Sequence, residues 1–169
     1  MTAGEMKFEA KGSTLTLERT FAAPREMVWA AFTECEHLKH WWGPHGWTLT
    51  VCEMDFRVGG RWHYCMAGAG EDGETIESWG LAEYTAIDAP ENFVYKDAFS
   101  DSDGTKTVEM PIADIVTEFI EVDGSTKVVS RTTYPKAEDL QAILDMGAEQ
   151  GIRETWDRLV TYLKEKNGG

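Results

Sequence analysis

Residues Ala137–Glu165 read AEDLQAILDMGAEQGIRETWDRLVTYLKE. Within them Leu140, Ile143, Leu144, Gly147, Ile152, Trp156, Leu159, Val160 and Leu163 recur every three or four positions, the period of one helical face. Glu138 and Asp139 bring negative charge to the start of the stretch, and Lys164 and Lys166 bring positive charge to its end. Both suit the helix dipole. The spacing predicts one long amphipathic helix closing the chain. Its apolar stripe has to be buried, and no other helical segment here is long enough to cover it. The partner has to be a sheet.

The rest of the chain supplies that sheet. Ser13–Phe21 (STLTLERTF) alternates polar and apolar side chains, a strand pattern. Pro24 suits a first helical position, and Arg25–Thr33 and Glu34–Trp41 read as two short helices ending at Gly43-Pro44. Trp47–Phe56, Gly60–Met66, Thr75–Ile87, Phe93–Phe99, Ala113–Val122 and Thr126–Tyr134 read as strands. Asp123-Gly124 marks a hairpin between the last two. The predicted class is α+β: an antiparallel sheet of about seven strands wrapped around a long C-terminal helix, with two short helices after the first strand. This is a helix-grip architecture. One domain is expected over residues 13–166, with 1–12 a disordered tail and 167–169 frayed.

Composition narrows the function. The chain has 169 residues, 30 acidic and 16 basic side chains and a net charge of −14. That charge repels phosphate backbones and anionic membranes, so neither nucleic acid nor membrane is an expected partner. No stretch is apolar enough for a membrane span, and Met1–Gly12 has no signal-peptide pattern. Three cysteines cannot all pair within the chain and are not spaced as a disulfide framework. A reducing cytoplasm is the expected compartment. Seven tryptophans are many for this length. Bulky, rigid indoles suit a large core or a cavity wall.

Several short strings, taken together, carry a family resemblance. They are Arg19-Thr20-Phe21-Ala22-Ala23-Pro24-Arg25-Glu26-Met27-Val28-Trp29, Trp41-Trp42-Gly43-Pro44, Asp55-Phe56-Arg57-Val58-Gly59-Gly60, Trp79-Gly80 with Ala89-Pro90-Glu91, and Gly151 with Trp156-Asp157-Arg158-Leu159. In this order the chain resembles the START-like SRPBCC superfamily. Within it, the chain resembles the single-domain bacterial form of the family of activator of heat-shock protein 90 ATPase homologues, over about residues 13–165. The resemblance implies a helix-grip fold with a cavity between sheet and long helix. It implies no reaction, since that superfamily holds lipid and hormone binders, cyclases and oxygenase subunits. The eukaryotic co-chaperone carries a further N-terminal domain for which residues 1–12 leave no room, so chaperone activation is not the expected role.

On Gly60–Met66 the side chains of Trp62, Tyr64 and Met66 share one face, opposite Arg61, His63 and Cys65. Tyr84, Thr117, Phe119, Ser130 and Thr132 are placed to look the same way, and Ile152 and Trp156 close the space from the helix. Apolar walls with a few hydroxyls describe a small-molecule site, and packing of the same residues as plain core is the alternative. Arg19 shares a face with Leu15, Leu17 and Phe21 and is a candidate anchor for an acidic ligand, or else one half of a structural ion pair. Trp41, Trp42 and Trp47 fall in seven residues and are candidates for a cavity lid or a homodimer surface. For Trp41 the favoured reading is an anchor of the helix pair onto the sheet. Gly147 and Gly151 suggest close packing, a kink or room for a ligand.

Other chemistry is weakly signalled. Cys35, His37 and His40 are zinc-capable, but their spacing fits no common site. Asp101-Ser102-Asp103-Gly104 lacks the rest of a calcium loop. No nucleophile elbow, phosphate loop or dinucleotide fingerprint appears. No metal, cofactor or catalytic residue is therefore expected. The reading is a binder of a small hydrophobic or amphipathic molecule. A cyclase- or hydrolase-like enzyme using the same cavity and a protein-interaction or co-chaperone-like module are the alternatives.

Overall fold

The computed structural model describes residues 4–107 and 111–167. Its strands are β1 (Lys7–Lys11), β2 (Thr14–Phe21), β3 (Thr48–Met54), β4 (Arg61–Ala69), β5 (Thr75–Asp88), β6 (Asn92–Phe99), β7 (Ala113–Val122) and β8 (Ser125–Thr133). The helices are α1 (Arg25–Thr33), α2 (Cys35–Leu38), α3 (Ala137–Asp145) and α4 (Ala148–Asn167). The strands form one antiparallel sheet in the order β1-β2-β8-β7-β6-β5-β4-β3. The two short helices follow β2, and α3 and α4 close the chain, so the helix-grip expectation holds.

Three expectations need correction. The N-terminal segment expected to be disordered contains β1, whose residues Lys7 to Lys11 pair with Glu18 to Thr14. Its five residues, KFEAK, do alternate, but the strand is short and its side chains are almost all exposed, so it contributes little to the core. It is an edge strand with a lysine at each end, a common guard against edge pairing. The expected frayed end falls on 168–169, outside the described residues, while Asn167 ends α4.

The closing helix is also two helices. Gly147 adopts φ +88°, and Met146 N–H bonds back to Ala142 and Ile143 carbonyls. This is a left-handed helix stop of the kind glycine supplies. The apolar stripe continues across the break, which is why periodicity alone reads as one helix. The two glycines should respond oppositely to alanine. Gly147→Ala forces a side chain into left-handed backbone and should cost about 1 kcal/mol. Gly151 lies inside α4, where an added Cβ meets only Pro44 at 3.9 Å, so Gly151→Ala should gain about 0.5–1 kcal/mol. Thermal melts should move in opposite directions.

Thirdly, Cys35 and Cys52 form a disulfide with Cα atoms 5.8 Å apart, and Cys65 is free and buried. The bond ties α2 to β3, which chain spacing does not reveal. It removes the argument from unpaired cysteines for a reducing compartment. No described helix is long and apolar enough to cross a membrane.

The groove between sheet and helices is filled unevenly. Toward the Phe21 end, α1 drives Trp29 into a ring cluster, 5.1 Å from Phe119, 5.6 Å from Phe93 and 5.8 Å from Phe56. From α4, Trp156 packs 5.6 Å from Phe21, with Leu159 and Leu163 buried beyond it. Thr126 Oγ1 donates to Ala23 O at 2.8 Å, closing this end. Toward the Leu15 end the inward strand residues shrink to Ala113, Thr117, Ser130 and Thr132, paired across β6–β7–β8–β2. Small side chains facing a helix that also carries Ala148, Gly151 and Thr155 leave space.

Candidate ligand cavity

That space is a cavity of about 340 Å³ between the sheet and α4, within the size range of small-molecule sites. Its sheet wall is Leu15, Leu17, Met66, Tyr95, Ala113, Ile115, Thr117, Ser130 and Thr132. Tyr134, Ala148, Gly151, Ile152, Thr155 and Trp156 close it from the C-terminal segment, and Phe32, Trp42, Gly43 and Pro44 from the short-helix region. The walls are mainly hydrocarbon and aromatic ring, interrupted by the hydroxyls of threonine, serine and tyrosine.

Of the residues singled out from sequence, Met66, Thr117, Ser130, Thr132, Ile152 and Trp156 line this cavity, and Trp42 stands at its edge. Trp62, Tyr64, Tyr84 and Phe119 do not line it. They share the inner face as expected, but they sit where that face is packed solid. Trp62 stacks on Tyr64 at 4.3 Å, meets Trp42 edge-on at 5.0 Å and donates its N–H to Cys52 Sγ. Tyr84 packs on Phe56 at 4.8 Å, and Phe119 lies under Trp29. Trp41 is fully buried with its N–H on Ala31 O at 2.9 Å, an anchor rather than a lid. Trp47 covers Gly68, where an added Cβ would come within 2.6 Å of the indole.

Arg19 does not face the cavity. Its Nη1 donates to Asp157 Oδ1 at 2.7 Å and its Nε to Gly4 O at 2.9 Å, so it joins β2 to α4 as an ion pair. A different arginine shapes the rim. Arg158 Nη1 on α4 donates to the carbonyls of Gly43 at 2.7 Å, Trp47 at 3.0 Å and Pro44 at 3.3 Å. It thereby holds the segment that carries Trp42, Gly43 and Pro44.

One polar group beside the cavity was not read from the sequence. Asp97 shares strand parity with Tyr95 and so points inward, paired with Ala82 on β5 and Ala113 on β7. Tyr64 Oη donates to this carboxyl, 3.0 Å from Oδ1 and 3.1 Å from Oδ2. The reach depends on Gly80, since a Cβ there would lie 2.3 Å from Tyr64 Cζ. Burial pushes the Asp97 carboxyl up to about 7, against the opposing effect of the Tyr64 hydrogen bond. Burial, and then the Asp97 charge, also raises the Tyr95, Tyr84 and Tyr134 hydroxyls above the usual phenol range. In the string Tyr95-Lys96-Asp97 a lysine and an aspartate share a strand, and sequence alone does not say which turns inward.

The zinc-capable run is occupied otherwise. Cys35 is in the disulfide, His37 Nδ1 lies 2.5 Å from Tyr162 Oη, and His40 stacks on the Tyr162 ring. Asp101 Oδ1 accepts the N–H groups of Asp103 and Thr105, forming a turn. Among the described residues no three His, Cys, Asp or Glu side chains cluster as a metal site.

Sheet, short helices and paired C-terminal helices define a helix-grip protein. The model of the family described as activator of Hsp90 ATPase homolog 1-like protein matches residues 22–164, and the chain belongs to that family. Among solved structures, it is similar to protein Ms6760 from Mycobacterium smegmatis, at 35% identity and TM-score 0.82 over 95% of this chain and 96% of that one. It is likewise similar to a Staphylococcus epidermidis protein solved by NMR, at 34% identity and TM-score 0.81 over 95% of each chain. An Arthrobacter aurescens protein shares 27% identity at TM-score 0.82, over 94% of this chain and 91% of that one. No curated protein matches the chain.

Proposed function

We propose that this protein binds a small hydrophobic or amphipathic molecule in the cavity between sheet and α4. The observation that carries the reading is the uneven filling of the groove. One end is packed with interlocked rings, while about 340 Å³ at the other is bounded by small and hydroxylated side chains. Apolar walls supply affinity through burial, and a few hydroxyls orient the occupant.

The test is thermal shift and native mass spectrometry against a panel of small apolar and amphipathic compounds, with a cavity-filled variant as control. Thr155→Phe places a ring from α4 into the space. It should keep the unliganded melting temperature close to wild type and abolish ligand-induced stabilisation. For wild type, saturation at about 100 times Kd should add about 2.7 kcal/mol. A panel in which no compound stabilises wild type, or in which Thr155→Phe responds as wild type does, rejects the reading.

A further inference from the structure

Asp97 brings a carboxyl to the inner face of β6, next to a cavity-lining residue of β7. Its two oxygens offer about four acceptor positions, and the only side-chain donor found on them among the described residues is the Tyr64 hydroxyl. Its sheet neighbours Ala82 and Ala113 contribute only methyl groups. Among the described residues, the titratable groups that feel its charge are phenols: Tyr64 from β4, Tyr84 from β5, Tyr95 from β6 and Tyr134 beyond β8. From α4, the wall presents Ile152, Thr155 and Trp156, none of which titrates in the working range. No lysine, arginine or histidine among the described residues forms an ion pair with Asp97.

Asp97 adjoins the cavity without itself lining it. Ala113, its partner across β6–β7, lines the cavity, as do Tyr95 and Tyr134, whose hydroxyls feel the Asp97 charge. A carboxylate that is only partly exposed and faces phenols, with no cation paired to it among the described residues, favours a positively charged neighbour. We propose that Asp97 is the counter-ion for a hydrophobic ammonium ligand, an apolar amine whose hydrocarbon lies against Leu15, Ile115, Ile152 and Trp156 and whose nitrogen turns toward Asp97. The proposal rests on the cavity reading above and adds the ligand's charge to it. A fatty-acid-like anion would meet the Asp97 charge at close range. The net charge of −14 acts in the same sense at long range, drawing cations and repelling anions. Tyrosine rings at the same end suit an ammonium group further.

Three probes with one skeleton separate charge from hydrocarbon: phenylbutylamine, phenylbutanol and phenylbutyrate, titrated calorimetrically at about pH 8. The amine should bind at least about tenfold more tightly than the alcohol, and the carboxylate most weakly, as a charge-assisted pair in a buried site requires. Asp97→Asn should lower amine affinity about tenfold and leave alcohol affinity unchanged. In wild type the amine preference should shrink at about pH 5.5, where the Asp97 carboxyl carries its proton while the amine stays charged. This comparison decides the matter even if the variant does not fold. Equal binding of amine and alcohol, or an amine affinity unmoved by Asp97→Asn, overturns the counter-ion and leaves the cavity reading intact. Binding of none of the probes at either pH, with no stabilising compound in the wider panel, overturns both.

Discussion

Asp97→Asn should stabilise the unliganded protein relative to wild type, and the gain should grow as pH rises from about 4 to about 7. Burial raises the folded-state carboxyl to about 7, whereas a solvated aspartate titrates near 3.8. Between those values the folded protein holds a proton that the unfolded chain has released. Stability therefore falls as pH rises across this window and levels off above it. Below the unfolded value the group contributes fully, and above the folded value its contribution is gone. A shift of this size corresponds to about 4 kcal/mol at most. Since the residue keeps part of its solvent exposure, about half of that is the expected observable. Asparagine keeps an acceptor for the Tyr64 hydroxyl and has no proton to lose. Urea melts of both proteins at several pH values should give a difference that rises and then flattens. A difference independent of pH would show that Asp97 titrates as an ordinary carboxyl.

The same residue shows where sequence reading stops. Inner and outer faces of a strand follow from alternation, and Trp62, Tyr64 and Met66 do share the inner face with buried Ala82 and Ala113. Alternation carries no information about position along the groove. Met66 reaches the cavity and Trp62 does not, because Trp42 and the disulfide-tied β3 pack against Trp62. Leu15 and Leu17 line the cavity because they pair with Thr132 and Ser130, a register that a single sequence does not supply. Arg25–Thr33 was legible as a helix because a proline start and an apolar stripe agree there. The break at Gly147 was hidden because the stripe runs through it in phase. The disulfide was hidden because α2 and β3 meet only after the corner containing Trp41 has folded. Local chemistry thus announced the elements and their faces, and the cavity's boundaries came from non-local packing.

That corner is where a single substitution should cost most. Trp41→Ala should destabilise the protein by about 4–6 kcal/mol, a large fraction of the roughly 5–15 kcal/mol that holds a typical domain folded. The indole is fully buried, and truncating such a side chain to alanine removes about 3–5 kcal/mol through lost transfer energy and an unfilled void. Its N–H adds to this. Ala31 is in the last turn of α1, where carbonyls lack intrahelical partners, and Trp41 Nε1 supplies the missing donor at 2.9 Å. Losing it strands a buried carbonyl at about 1 kcal/mol or more. The ring also meets Phe32 edge-on at 4.9 Å and Trp42 at 5.4 Å, so the void opens directly behind two cavity-wall residues. Trp41→Phe keeps most of the volume and loses the donor, and should cost about 1–2 kcal/mol. Denaturant midpoints should fall in the order wild type, Trp41→Phe, Trp41→Ala. Ligand-induced stabilisation, where the Trp41→Phe protein is folded, should weaken with the support behind Trp42. An alanine variant as stable as the phenylalanine one would mean that the corner relaxes around the gap and that Trp41 does not brace the cavity wall.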